Sequence, residues 1–385
     1  MRTRKTLAGS IAVALAIFAS RGACAQETVR IGFSAPITGP FAENGKQMLA
    51  AFRLFTQQNG EFVAGKKIEV IVRDDGGVPD QAKRIARELV VNNNVSFLAG
   101  YNPTPPALTA ASISAEAKIP MIVMGASASG IPERSPYVVR VYCTQAQITA
   151  PIAQWAIKNG IKRVVTLVSD YSPGLDTEKA FIDAFKVAGG EIIEALRVPL
   201  QSPDFAPYLQ RARDAKPDAL FVWVPGGLAG PFLRQYAERG FQTSGIRVIG
   251  SGVTDDSVLN QMGDSTLGIT TSMQYSVAHP SRRNKIFVEG FERISNGLRP
   301  DQVAVSVYDG MHLIYEALKK TAGNATGDAI IAAVKGMAWE SPRGPIIIDP
   351  ATRDIIQNVY IRRVERVDGE LYNVEFQTYD AVRPL

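Results

Sequence analysis

The sequence predicts an α/β protein of two lobes, each built around a parallel β-sheet. Three observations support this fold class. The 385 residues are enough for two domains with two cores. Hydrophobic residues make up 46% of the chain, as in a folded globule. Short apolar strands alternate with amphipathic helices, and the pattern restarts after Arg140, which is typical of parallel sheets with helical crossovers.

The first segment of the chain belongs to neither lobe. It opens with basic residues, continues with an apolar run at Leu7–Ala19, and reaches Ala23-Cys24-Ala25. Signal peptidase accepts this small-x-small pattern, so residues 1–25 are predicted to be a secretory signal peptide that is cleaved after Ala25.

Cleavage at that point changes the charge and the cysteine content. The whole chain has 42 basic and 37 acidic residues and a net charge of +5. Four of the basic residues and none of the acidic ones precede residue 26, which leaves 38 basic against 37 acidic residues, a charge of +1. No nucleic-acid partner is therefore expected. Cys143 would be the single remaining cysteine, so no intrachain disulfide is predicted.

The first run of elements is defined by apolar segments that look buried on both faces, as parallel strands require. The predicted strands are Val29–Phe33, Lys67–Val72, Val95–Ala99 and Met121–Met124, and the helices between them are Gly45–Gln58, Pro79–Val91 and Pro106–Ala117.

The second run repeats this alternation, and the C-terminal third adds elements that could complete either lobe. The second run has strands at Arg163–Val168, Glu191–Val198, Ala219–Val224 and Arg247–Ile249 and helices at Ile148–Lys158, Asp176–Ala188, Phe205–Asp214 and Gly230–Arg239. The C-terminal third has helices at Val303–Lys319 and Asp328–Gly336 and strand-like segments at Pro345–Ile348 and Val359–Val364.

Three loops that follow strands of the first run are rich in glycine and small hydroxylated residues: Ser34–Phe41, Gly100–Thr104 and Gly125–Ser129. Ligands of open parallel sheets bind outside the carboxyl ends of the strands. Glycines let a ligand approach the backbone, and hydroxyls supply hydrogen bonds. Thr104 and Ser127 fit two roles at this point, as helix caps or as ligand donors, and spacing alone favours caps.

These segments, together with others along the chain, resemble the leucine/isoleucine/valine-binding family of periplasmic substrate-binding proteins. The resemblance rests on the order and spacing of motifs over nearly the whole chain after residue 25. The matching segments are Val29–Phe33, Thr38–Gly45, Asp74-Asp75 with Pro79, Ala99-Gly100, Ile119–Ile122, Asp204-Phe205, Pro217–Ala219, Leu233–Gln235 and Tyr308.

The resemblance implies the type I periplasmic binding protein fold: two Rossmann-like lobes with parallel sheets, three crossovers between lobes, and a ligand held between them by hinge closure. The crossovers are expected near Arg140–Thr144, Met273–Val277 and Gly344–Ile348. Lobe 1 is expected to span 26–142 plus 275–346, and lobe 2 to span 143–274 plus 347–385.

The resemblance also implies roles for single residues. Thr104 matches a hydroxyl donor to the ligand carboxylate, and Ser127 a hydroxyl and N–H that bind it. Gly125 matches a backbone carbonyl that accepts from the ligand. Asn44 matches a position at the mouth of the pocket that is aromatic in many relatives, and Tyr171 an aromatic from the second lobe. Ala126, between Gly125 and Ser127, is included in the predicted site.

The chain departs from the family's amino-acid binders where they place an acid for the ligand ammonium, since Gly252 occupies that position. Asp255 and Asp256 leave two roles open, as caps of a helix at Ser257–Met262 or as ligand contacts. Four aromatic residues could wall the cleft: Phe41, Tyr101, Tyr171 and Trp223. An aromatic acid is therefore a competitor to a branched-chain amino acid.

The expected function is a non-catalytic solute receptor of the periplasm. It is expected to be a monomer, to bind a small carboxylate, and to deliver it to an inner-membrane ABC permease. Its two histidines, His279 and His312, lack metal-ligand spacing, and no nucleophile elbow or phosphate loop is present. No cofactor, metal or enzymatic activity is expected. A periplasmic sensor for amides or amino acids that feeds a receptor is the alternative.

Overall fold

The computed structural model describes residues 27–201 and 203–384. The predicted signal peptide, residues 1–25, lies outside them. Within the described residues, no helix is both long enough and apolar enough to cross a membrane.

The first sheet has six strands in the order β2-β3-β1-β4-β5-β6, and all are parallel except the short edge strand β2. The sequence alternation predicted its main strands, because their apolar side chains are buried between helices. Its strands are β1 (Thr28–Ala35), β2 (Phe62–Val63), β3 (Lys66–Asp74), β4 (Phe97–Gly100), β5 (Met121–Val123) and β6 (Val138–Arg140).

The second sheet has nine strands. Five form a parallel part in the order β8-β7-β9-β10-β11, and an antiparallel part continues from β11 through β14. Its strands are β7 (Arg163–Ser169), β8 (Glu191–Val198), β9 (Ala219–Trp223), β10 (Arg247–Ser251), β11 (Thr270–Met273), β12 (Ala338–Ser341), β13 (Gly344–Ile348), β14 (Ile355–Val367) and β15 (Glu370–Val382).

Helices cover both faces of each sheet, so each lobe has three layers. In the first lobe, α1 and α10 pack on one face with α9, and α2 and α3 pack on the other. In the second lobe, α4 and α5 pack on one face, and α6 and α7 on the other. The predicted α/β class is confirmed. The helices are α1 (Ala42–Asn59), α2 (Pro79–Val91), α3 (Thr104–Ala117), α4 (Gln145–Lys158), α5 (Ser172–Val187), α6 (Ala206–Asp214), α7 (Gly226–Glu238), α8 (Leu259–Met262), α9 (Arg282–Ile294), α10 (Gln302–Lys320) and α11 (Gly327–Val334).

The parallel parts of the two sheets have the same strand order. In each, the first strand along the chain has the second strand on one side and the third on the other: β3-β1-β4 in the first sheet and β8-β7-β9 in the second. The connections therefore diverge next to β1 and next to β7. In doubly wound sheets this divergence opens a crevice outside the carboxyl ends of the strands. The loops after β1, β4, β7 and β9 are thus placed to meet a ligand.

The chain passes between the sheets close to two of the expected places. At the first crossover, the chain leaves the first sheet after β6 and reaches the second-lobe helix α4 at Gln145. At the second crossover, it leaves β11 at Met273 and returns to the first lobe with α9. The third passage differs from the expected Gly344–Ile348. Strand β12 already pairs with β13, and β13 with β14, so the chain reaches the second sheet between Val334 and Ala338. Apolar alternation alone could not tell which sheet these strands would join. The division into lobes otherwise stays a prediction.

A buried arginine at the end of β6 ties the first crossover to the second sheet. Arg140 is fully buried, and its Nε and Nη2 donate to the two carboxylate oxygens of Asp354 at 2.6 and 2.9 Å. Its Nη1 donates to the backbone carbonyls of Ala126 and Ala128. The guanidinium therefore fixes the loop after β5 from both sides of Ser127.

Two more buried guanidiniums hold the first and second crossovers. Arg343 donates from Nε to a carboxylate oxygen of Asp309 at 2.9 Å and from Nη2 to the carbonyl of Val141 at 2.7 Å. Arg362 donates from Nη1 to the carbonyl of Tyr275, in the second crossover. A buried charge is tolerated when it is paired and hydrogen-bonded, so these contacts fix the connecting segments in place.

Candidate functional site

The cavity between the lobes, here called the cleft, has a volume of about 880 Å³ and lies at the carboxyl ends of both parallel sheets. Its size is in the range of small-molecule sites. Eight of the ten residues predicted for the ligand site line it: Phe41, Asn44, Thr104, Gly125, Ser127, Tyr171, Trp223 and Gly252.

Tyr101 and Ala126 do not line the cleft, which corrects their predicted placement. Both side chains are fully buried in the core between the first sheet and the helices α2 and α3. The backbone of Tyr101 has φ +64°, a left-handed turn that the residue type did not suggest. Burial raises the pKa of the Tyr101 phenol, and its hydroxyl has no hydrogen-bond partner among the described residues.

A chain of amide hydrogen bonds crosses the first-lobe wall of the cleft. The side-chain amide of Asn102 donates to the carbonyl of Gly125 at 2.6 Å, and Asn44 donates to the Asn102 side-chain oxygen at 3.3 Å. The carbonyl that the resemblance assigned to the ligand is thus already hydrogen-bonded within the protein. Asn102 lay in a loop that the sequence had singled out, but the predicted site omitted it.

The hydroxyl groups of Ser127 and Thr104 both accept hydrogen bonds inside the protein. Ser127 Oγ accepts from the side-chain amide of Gln145 at 2.8 Å, and Thr104 Oγ1 accepts from the backbone N–H of Ala128 at 3.3 Å. Neither caps a helix: α3 begins at Thr104 itself and has no side-chain cap. Neither oxygen accepts from an N–H group at the start of a helix, so the helix-cap interpretation is wrong for both. Because each oxygen acts as an acceptor here, its hydroxyl hydrogen can be donated to another group.

Aromatic rings face the cleft from both lobes. Tyr171, just before α5, and Trp223, at the end of β9, form a pair with ring centroids 5.7 Å apart and an interplanar angle of 39°. They follow β7 and β9, the two strands between which the second-lobe connections diverge. Phe41, just before α1, lies on the opposite lobe. This arrangement suits a flat apolar group.

Gly252 follows β10 in a conformation that disfavours any side chain. Its φ is +77°, and a Cβ atom there would lie 3.0 Å from the terminal methyl carbon of Met273. An acidic residue at this position would therefore be strained. The cleft has no carboxylate where the resemblance places the partner of a ligand ammonium.

The adjacent acids Asp255 and Asp256 have different roles. Asp256 is buried, accepts from Arg362 at 3.2 Å, and is not part of the cleft wall. Burial raises its pKa, although the Arg362 guanidinium opposes this. Asp255 lines the cleft, and its Oδ1 accepts from the N–H and hydroxyl of Ser257. The predicted helix over 257–262 is shorter and begins at Leu259, so neither acid is its cap residue.

Asp301, at the start of α10, is a cleft residue that sequence reasoning missed. Its Oδ1 accepts from the N–H groups of Val303 and Ala304, both at 2.8 Å, and only 3% of the residue is exposed. Burial raises its pKa well above the usual range, and the nearby negative charge of Asp255 raises it further. An N-cap aspartate before an apolar helix was readable from the sequence, but its place in the cleft was not.

The raised pKa of Asp301 predicts a dependence of stability on pH. The folded state holds this proton more tightly than the unfolded chain, in which the carboxyl has its ordinary pKa of 3.8. The contribution of Asp301 to the free energy of unfolding therefore falls as pH rises from about 4 towards the raised pKa. Asp301→Asn keeps a capping oxygen. Because asparagine has no carboxyl group to titrate, the free energy of unfolding of the variant should not fall in this way. Urea unfolding should show the variant gaining stability relative to wild type as the pH rises above about 4; a constant difference would contradict the assignment.

Comparison with known proteins places the chain among solute receptors. A family model described as "Periplasmic binding protein" matches residues 28–370. A protein of Brucella abortus (strain 2308) named "Leu/Ile/Val-binding protein homolog 6" is 40% identical over 95% of this chain and 96% of its own length.

Two solved structures have the same overall fold. A solute binding protein of an ABC transporter from Rhodopseudomonas palustris BisB5, in complex with 3,4-dihydroxybenzoic acid, is 56% identical, with a TM-score of 0.90 over 92% of this chain and 98% of that one. A second solute binding protein, from Rhodopseudomonas palustris HaA2 in complex with p-hydroxybenzoic acid, is 39% identical, with a TM-score of 0.89 over 93% of this chain and 98% of that one.

Proposed function

Because the chain belongs to the periplasmic binding protein family, we propose that it captures an aromatic carboxylate in its cleft for import by an ABC transporter. It is an extracytoplasmic solute-binding protein. It is exported by a signal peptide that is cleaved after Ala25, works as a monomer, and hands its ligand to an inner-membrane permease. It has no catalytic role.

The observation that carries the ligand class is the absence of the expected acid at Gly252, where a positive φ disfavours any side chain. The carbonyl of Gly125, which the resemblance assigned to the ligand, already accepts one hydrogen bond, from Asn102 at 2.6 Å. A zwitterionic amino acid needs its ammonium paired in a closed cleft, because an unpaired buried charge is costly. The paired rings of Tyr171 and Trp223 instead offer a surface for a planar ring.

The carboxylate of the ligand binds near Ser127 and Thr104. Their hydroxyl hydrogens have no acceptor among the residues that the structure describes, so both can donate to the carboxylate. Pro105 and Pro106 have no N–H groups, so backbone donors are missing at the start of α3. Positive charge comes from Arg234 on α7, which lines the cleft and has no ion pair with any residue that the structure describes. Hinge closure then brings the aromatic pair of the second lobe over the ring and expels water.

The relatives support this ligand class and leave one competitor. Two structures of solute-binding proteins hold hydroxylated benzoic acids. The 40% identical relative is named for leucine, isoleucine and valine. A branched-chain amino acid is the second candidate, because the carboxylates of Asp255 and Asp301 in the cleft could pair with its ammonium.

Calorimetry on the mature protein, stripped of bound ligand, separates the two candidates. Benzoate, 4-hydroxybenzoate and leucine are titrated in parallel. At least one aromatic acid should bind, and leucine should bind more weakly. Tight leucine binding with no heat from either aromatic acid would refute the proposal.

Ser127→Ala tests where the carboxylate sits. Loss of one hydrogen bond to a charged group costs about 1–3 kcal/mol, or about 5- to 150-fold in Kd. The matched control is Ser112→Ala, an exposed serine on α3 whose hydroxyl donates to the carbonyl of Thr109. The control should bind like wild type. Equal affinity of both variants would remove Ser127 from the site.

A further inference from the structure

Three acidic residues line the cleft: Glu43, which is exposed and paired with Lys46, and the buried pair Asp255 and Asp301, which the carboxylate and ring contacts leave unused. We propose that Asp255 and Asp301 accept hydrogen bonds from hydroxyl groups on the ligand ring, so that the protein selects hydroxylated aromatic acids over unsubstituted ones. This inference rests on the proposed function, and it assigns the substituents of the ligand to side chains of this protein.

Asp301 is connected to the proposed carboxylate site along the first-lobe wall of the cleft. Hydrogen bonds lead from Gly125 to Asn102 and from Asn102 to Asn44. Gln47 follows three residues further along α1, a displacement of about 4.5 Å at 1.5 Å per residue. Its side-chain oxygen accepts from the backbone N–H of Asp301 at 3.2 Å. In the proposed pose, the ligand carboxylate sits at Ser127, next to Gly125, and the far end of the ring lies towards Asp301.

Each acid keeps one carboxylate oxygen available. In both, Oδ1 accepts all of the internal hydrogen bonds: from Ser257 for Asp255, and from Val303 and Ala304 for Asp301. Oδ2 of each has no hydrogen bond or ion pair to any residue in the described part of the chain. Both residues line the cleft and are more than nine-tenths buried, with 8% and 3% exposed.

Such oxygens favour a hydroxyl-bearing ring. A buried acceptor without a donor is unfavourable once water is expelled, and a phenolic hydroxyl supplies the donor directly. Because Asp255 belongs to the second lobe and Asp301 to the first, a ring with two adjacent hydroxyls can donate to both. A plain ring leaves both carboxyl groups desolvated and without a partner, and sites built for a hydroxyl discriminate strongly against analogues that lack it.

Titration calorimetry with three acids on four proteins tests the inference. The probes are benzoate, 4-hydroxybenzoate and 3,4-dihydroxybenzoate. The proteins are wild type, Asp255→Asn, Asp301→Asn and the control Asp183→Asn, an exposed acid on α5 paired with Lys179. An asparagine oxygen can still accept at the Oδ1 position, so both cleft variants retain the internal bonds, which thermal unfolding would verify.

We expect wild type to bind the hydroxylated acids at least about tenfold more tightly than benzoate. Each cleft variant should reduce that preference by about tenfold or more while leaving benzoate affinity unchanged or improved. Asp183→Asn should match wild type. Equal binding of all three acids by wild type, or a uniform loss for all three in the variants, would overturn the inference and leave the proposed function standing. If no aromatic acid binds and leucine does, the proposed function itself fails.

Discussion

Arg140→Ala is expected to lower the free energy of unfolding by about 3–5 kcal/mol, because it leaves the buried carboxylate of Asp354 without its partner. The bidentate pair is inaccessible to water on the arginine side, and no other cation contacts that carboxylate in the described residues. Ligand affinity should fall as well, since the guanidinium also holds the carbonyls of Ala126 and Ala128 beside Ser127. Urea unfolding measures the first effect and calorimetry the second.

Two controls show whether the charge itself is responsible. Arg30→Ala breaks an ion pair with Glu69 whose side chains are 41% and 49% exposed, and it should cost no more than about 1 kcal/mol. The double variant Arg140→Met with Asp354→Leu removes both charges and should recover much of the lost stability. A double variant as unstable as Arg140→Ala would show that altered packing, rather than the unpaired charge, causes the loss of stability.

Gly45→Ala is expected to cost about 3 kcal/mol or more, because the added methyl group has no space. A Cβ atom at Gly45 would lie 2.2 Å from the backbone oxygen of Pro36, which cannot move aside like a flexible side chain. Helix α1 would have to shift away from the loop after β1, and Asn44 would move with it. Gly174 is the counterpart in the second lobe, where a Cβ would lie 1.9 Å from the backbone oxygen of Ser169.

Gly227→Ala is the matched control for this prediction. Gly227 also lies inside a helix, and its Cβ would come no closer than 4.0 Å, to the backbone oxygen of Pro40. Alanine should therefore stabilise this helix by about 0.5–1 kcal/mol. Thermal unfolding of the two variants should give shifts of opposite sign. Two shifts of the same sign would mean that helix propensity, not close approach of the backbone, decides the outcome.

Buried parallel strands could be predicted from the sequence because their apolar runs are short, continuous and flanked by turns. Strand β4, for example, is buried at every position. Strand β15 was missed because exposed residues alternate irregularly along it, from Glu370 to Val382. Helix α9 was missed because its apolar positions are few among charged ones. The partner sheet of β13 depends on pairing with β14, which no local pattern encodes.

The candidate site could be predicted where it depends on strand ends, and not where it depends on packing between distant segments. Ser127 lies in the loop after β5 and Trp223 is the last residue of β9, so topology places them in the cleft. Asp301 is 254 residues from Gln47 in sequence, and the hydrogen bond between them is what places it there. Tyr101 was misplaced because a left-handed backbone turn sends its ring into the core. The ligand-binding roles of the residues that line the cleft stay predictions.

Under the proposed function, the placement of Asp255 and Asp301 on different lobes would also affect how the transporter uses ATP. If the lobes closed without cargo, the two carboxyl groups would come closer in a poorly hydrated space. Either their repulsion would grow or one of them would take up a proton, and both cost free energy. A ligand that donates to both would remove that penalty and shift the equilibrium towards the closed form. The permease would then meet closed receptors mainly when they are loaded, so that fewer ATP molecules would be hydrolysed without transport.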